Sequence, residues 1–299
     1  MPYRLHVRTL LPLAALALLC GCGGAAETAA PSPSATSDKK HRLEAAKADC
    51  MKQQGFKYVP YVSHPQVQDT DESRKRAAGD YQAMRKFRQK YGFGIFATYV
   101  YPKEMGNPAV KPDDPQVNPN WAIQSSLSKA QMGAYRKALD TCVVTAANQV
   151  LGLKLKPGTD YYAEQYDARR RELKSGVDGD PELIRLAGAM AACLKGKGHA
   201  ISDATPLAMA ERGPETFRVQ EDRLGRAQRD DVPDVAPPAK EGEPPMTYAP
   251  TLTPEEARPY LNREIKAALD DLECGRDFYP AYLPRQAAID EQVNDRFGM

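Results

Sequence analysis

The sequence predicts a mainly α-helical protein, built as two tandem, disulfide-linked helical repeats with long proline-rich loops. Three observations predict it. The segments RLEAAKADCMKQQG (42–55) and RLAGAMAACLKGKG (185–198) share seven of fourteen positions, a cysteine among them, which marks a duplication. Apolar residues recur at spacings of three and four beside N-capping signals, the period of an amphipathic helix. Four cysteines, Cys50, Cys142, Cys193 and Cys274, fall two to each copy.

The elements follow in chain order. Arg4, His6 and Arg8 precede a ten-residue apolar run from Leu10 to Leu19, the pattern of a secretory signal peptide over residues 1–21. A membrane-spanning helix would need about 20 apolar residues, so this run is too short to be one. Leu19-Cys20-Gly21-Cys22 resembles the lipobox of bacterial lipoproteins. The resemblance implies cleavage before Cys22 and lipid attachment, palmitate included, on Cys22. It also implies a place on the extracytoplasmic face of the cell membrane. Two acyl chains anchor a protein stably where one does not. An ordinary signal peptide cut near Gly24 to Ala26 is the alternative. Residues 22–40, small, polar and interrupted by Pro31 and Pro33, read as a flexible tether.

The first repeat is expected over residues 41–158. Leu43, Ala46 and Cys50 line one face of its first helix. Ala77, Tyr81, Met84 and Tyr91 line a second helix that starts near Arg74 and ends at Gly92. Gly94 to Tyr101, GIFATYVY, has strand character. Pro102, Pro108, Pro112, Pro115 and Pro119 exclude both helix and central strand, so a long loop follows. Ser128 with Gln131 makes a capping box, with Leu127 placed as a hydrophobic staple. Met132, Tyr135, Leu139, Cys142 and Ala146 then share a face.

The second repeat, over residues 159–299, repeats the plan. Asp180-Pro181 is an N-cap with Pro at N1, and Leu183, Leu186, Met190 and Leu194 face one way. Seven prolines between Pro233 and Pro254 make another loop. Leu252-Thr253 with Glu256 repeats the staple and capping box, and Ala268-Leu269-Asp270 before Cys274 repeats Ala138-Leu139-Asp140 before Cys142. Pro259 is expected to break this helix, whose main run would begin there.

Four cysteines in an oxidising compartment read as two disulfides with three possible connectivities. The simplest closes each copy on itself, Cys50 with Cys142 and Cys193 with Cys274. Zinc would want close pairs such as CxxC, and none is present. The whole chain carries 41 basic and 39 acidic residues; the expected signal holds two of the arginines, so the mature chain is balanced. Bulk charge then steers no partner, and nucleic acid is not expected.

Chemistry is sparse. His41, His64 and His199 have no ligand spacing, so no metal, cofactor or catalytic residue is assigned. Ser126 to Lys129 and Ser37 to Lys40 match SxxK at a frequency chance supplies, without a following KTG. Two surfaces are candidates for binding. Arg85 and Arg88 belong to a basic helix with a single acid, Asp80, which reads either as a solvated face or as a contact for anionic headgroups or wall polymer. Trp121, the only tryptophan, either stacks on a ligand with Tyr99 and Tyr101 or pins its loop to the core.

CMKQQGFKYVP, KYGFG, NPN before an LS-initiated helix, and Y-x-x-A-L-x-x-C together resemble an uncharacterised family of actinobacterial exported lipoproteins. The resemblance covers most of the first repeat; in the second, LGRA stands where YGFG would. It implies a helical, disulfide-linked envelope protein and no particular activity. The expectation is a membrane-anchored, non-enzymatic module that binds cell-wall polymer or another exported protein. The alternative is a cell-wall-active hydrolase using a pair of carboxylates.

Overall fold

A computed structural model describes residues 33–63, 70–107, 110, 117–233, 235 and 246–299. Eleven helices and no strand occur among these residues: α1 (Pro33–Gln53), α2 (Asp71–Ala77), α3 (Tyr81–Tyr91), α4 (Ala97–Val100), α5 (Asn120–Ser125), α6 (Lys129–Leu151), α7 (Tyr161–Val177), α8 (Pro181–Gly196), α9 (Pro206–Ala227), α10 (Pro254–Cys274) and α11 (Phe278–Arg296). The mainly α fold is therefore as expected. Residues 1–21 and Cys22, with the expected signal and lipid site, lie outside the described residues.

Helix starts follow the local chemistry. Ser128 Oγ accepts from the Gln131 amide at 3.3 Å while the Gln131 side chain accepts from the Ser128 amide at 3.0 Å. Thr253 and Glu256 make the same reciprocal pair at 3.2 and 2.8 Å. Asp180 accepts from the Glu182 and Leu183 amides at 2.9 and 3.0 Å, with Pro181 in the first turn. Each box satisfies amides that have no partner inside the helix.

Both expected disulfides are present. Cys50–Cys142 ties α1 to α6, and Cys193–Cys274 ties α8 to α10, each with Cα atoms 5.5 Å apart. The matched segments 42–55 and 185–198 fall on α1 and α8. Around the first bond, Met51, Tyr135, Ala138 and Cys142 are buried together. Farther along the same helix pair, Leu43, Val143, Ala146 and Ala147 join Tyr161, Ala168, Val293 and Phe297. The largest core unites α8 with Met84, Leu173, Met209, Leu272 and Tyr282.

Four expectations change. The expected strand is a loop leading into the short helix α4, because Phe96, Ala97 and Val100 all turn into a core with Phe217, Ala257 and Leu261. Its leading amides find a side chain instead of a strand partner: buried Glu264 accepts from Ile95 and Phe96 at 2.9 and 2.8 Å. The basic helix is two helices, since Gly79 between them has φ +81° and its α-carbon lies against the backbone of Pro280, where a Cβ would come within 2.7 Å. Pro259 does not break α10, which runs unbroken from Pro254. The capping box fixes its first turn, and Ala257 and Leu261, 0% and 1% exposed, hold the segment on the core. Helix α1 begins at Pro33, inside the segment expected as tether.

Pro31–Met299 forms one compact unit. Helices α3 and α4 of the first half pack on α10 of the second, as Arg88 and Glu264 reach across. Helices α7 and α11 pack on each other, joined by a two-point Arg169–Asp290 pair at 2.7 and 2.9 Å. The halves thus interlock, although each disulfide stays within its own half.

Candidate functional site

The site grows from one buried acid. Asp271 on α10 is fully buried. Arg88 Nη1, from α3, donates to its Oδ1 at 2.6 Å and to the Ala268 carbonyl at 2.9 Å. Arg212, from α9, donates to its Oδ2 at 3.3 Å, and the Tyr279 hydroxyl donates to Oδ1. A lone buried carboxylate is costly, so these donors are what makes its position tolerable. Burial works against the Arg88 charge, but Tyr279 and Asp271 beside it more than restore it, and its pKa lies above the ordinary guanidinium value. Burial, reinforced by Asp271, raises the Tyr279 phenol far above its usual range and keeps it neutral. Two guanidiniums thus share one carboxylate and leave an excess positive charge. Arg212 Nε is buried without a hydrogen-bond partner among the described residues.

Above Arg88 opens a cleft of about 520 Å³. Ser73, Arg74 and Arg76 of α2 line it together with Pro214 of α9 and Leu283 of α11. Met84, Phe87 and Phe93 make its apolar surface. The Arg76 guanidinium lies 4.1 Å from the Phe87 ring centre, and Arg88 lies 5.2 Å from that of Phe93. Phe93 presses so closely on α9 that a Cβ at Gly213 would stand 2.3 Å from its ring. Three arginines line the cleft, with no carboxylate among the described residues that line it. Its size and composition suit a small amphipathic ligand.

The residues singled out in the sequence are dispersed in kind. Arg88 is 8% exposed and occupied inside the molecule, whereas Arg85 on the same helix is exposed. Tyr99 packs in the core around Phe96, and its hydroxyl donates to Glu221 at 2.5 Å. Tyr101 packs edge-on against Tyr91 with ring centres 5.6 Å apart. Trp121 is 63% exposed on α5, so it does not pin its loop to the core. Sequence reasoning missed Asp271, Arg212, Phe93 and Leu283. Only Phe87 had a signal, three residues beyond Met84 on the same helix face.

Two buried carboxylates, Glu264 and Glu221, serve the chain's own architecture. Burial raises the Glu264 carboxyl above its ordinary value, with the backbone amides around Phe96 opposing. Burial raises Glu221 as well, and the Tyr99 hydroxyl opposes it. No group of three or more His, Cys, Asp or Glu among the described residues could hold a metal ion. No described helix is long and apolar enough to cross a membrane. No protein-family model, curated protein or solved structure matches the chain.

Proposed function

We propose that this chain is a lipid-anchored, extracytoplasmic binding module of the cell envelope and not an enzyme. The observation that carries the reading is the arginine-rimmed apolar cleft on a scaffold cross-linked by two disulfides. Disulfides belong to oxidising compartments, which agrees with the signal-like N-terminus and the lipobox-like Leu19 to Cys22. A binding site asks for shape and a few fixed charges, and the cleft supplies both. The raised carboxylates Glu221 and Glu264 are each engaged by the chain itself, so neither is free to serve in the pair a hydrolase would use.

The test expresses the full chain in an exporting bacterial host with labelled palmitate. Wild type should carry label and fractionate with membranes, and Cys22→Ala should do neither. An unlabelled wild type would remove the anchor from the proposal. Purified protein incubated with isolated cell-wall sacculi should release no soluble glycan or peptide. Release that Glu211→Gln abolishes would replace the module with the hydrolase, because Glu211 faces two neighbouring cavities along α9.

A further inference from the structure

The chemistry of the cleft names a class of ligand. Its apolar surface is continuous with two cores: Met84 and Leu283 belong to the large one, and Phe93 to the one around Phe96. Phe87, Phe93 and Leu283 are only half-buried there, so an apolar occupant would remove them from water. The polar contribution has one sign. Arg74, Arg76 and the buried Arg88 line the cleft, with no acid among the described residues that line it. Arg74 already pairs with Asp71, and a ligand anion would share it. The excess positive charge of the Arg88–Asp271–Arg212 group adds to the same field.

We propose that this cleft binds a single-chain anionic amphiphile, its apolar chain along Met84, Phe87, Phe93 and Leu283 and its headgroup on Arg76 and Arg74. The occupant is a monomer and not a bilayer surface. The apolar residues lie in a concave seam between helices, where a flat membrane does not reach, whereas an extracted chain does. Guanidinium forks suit carboxylate and phosphate headgroups alike. The proposal rests on reading the cleft as a binding site, but not on the lipid anchor.

Sodium laurate, below its critical micelle concentration, is the probe for calorimetric titration of the mature chain. One molecule should bind per chain, and dodecyltrimethylammonium, equal in chain length and opposite in charge, should bind about tenfold more weakly or worse. Arg76→Gln and Leu283→Glu should each weaken laurate about tenfold, and Trp121→Ala should not change it. A diazirine analogue of laurate should label peptides from 81–93 or 278–296 in the unaltered protein, a readout that survives if a variant fails to fold. Equal binding of both detergents, labelling confined to other segments, or laurate binding unmoved in both cleft variants would overturn the proposal. So would binding to phosphatidylglycerol vesicles in the absence of any laurate binding. Absence of laurate binding with palmitate on Cys22 intact would defeat this inference and leave the anchored module standing.

Discussion

Glu264 is fully buried and sits against the backbone from Gly92 to Phe96. Its carboxylate, on α10, takes the amides of Ile95 and Phe96 and so turns an apolar segment of strand-like composition into the start of α4. Gly92 is held in the same place, since a Cβ there would stand 2.8 Å from the Glu264 side chain. Nothing in the local pattern NREIKAAL marks this glutamate as buried, because a charged residue in a helix ordinarily faces water. Burial raises its folded pKa. A carboxyl raised in this way stabilises the fold while protonated. The contribution is complete below the unfolded value of about 4.3 and is lost as pH rises through the folded one. Glu264→Gln removes that titration. Urea unfolding of both proteins from about pH 4 to about pH 7 should show the wild-type advantage shrinking as pH rises. An advantage that grows with pH would mean that the amide donors outweigh burial.

Among the helices, starts were legible and interruptions were not. A capping box is a contact between residues three apart, so Ser128 with Gln131 and Thr253 with Glu256 could be read directly. Gly79 and Pro259 show the limit. The first breaks a helix because α11 passes within contact of it, and the second fails to break one because Ala257 and Leu261 are anchored on either side. Helix α10 therefore depends on its cap more than α6 does, since Pro259 removes a hydrogen bond just after the first turn. Thr253→Ala should cost about 1 kcal/mol in denaturant unfolding. It should also speed amide exchange at Ala257 and Arg258, ahead of Pro259. Ser128→Ala should cost a similar amount without that local fraying. Equal fraying at both helix starts would count against a special dependence at Pro259.

At the scale of the whole molecule, the two disulfides close chain segments of 92 and 81 residues, each worth about 4–5 kcal/mol on the chain-entropy model. They differ in access. Cys142 is 0% exposed, whereas Cys193 lies at the surface. Thiolate attack needs a reachable sulfur. Mild reduction followed by alkylation and peptide mapping should therefore open Cys193–Cys274 first and Cys50–Cys142 only on unfolding. Simultaneous loss of both bonds would show that global opening governs reduction. The helical class, the capped starts of α6, α8 and α10 and the apolar faces of α1, α6 and α8 were determined by the sequence alone, because each rests on spacings within one helix; the cysteine pairing was narrowed to three connectivities, among which the structure decided. Only the tertiary structure decided that α3 and α4 lie on α10, that Arg88 turns inward to Asp271 while Arg85 stays in water, and that Trp121 is exposed. Those outcomes depend on which side chains meet across more than a hundred residues of chain, where burial and charge pairing outweigh any local preference.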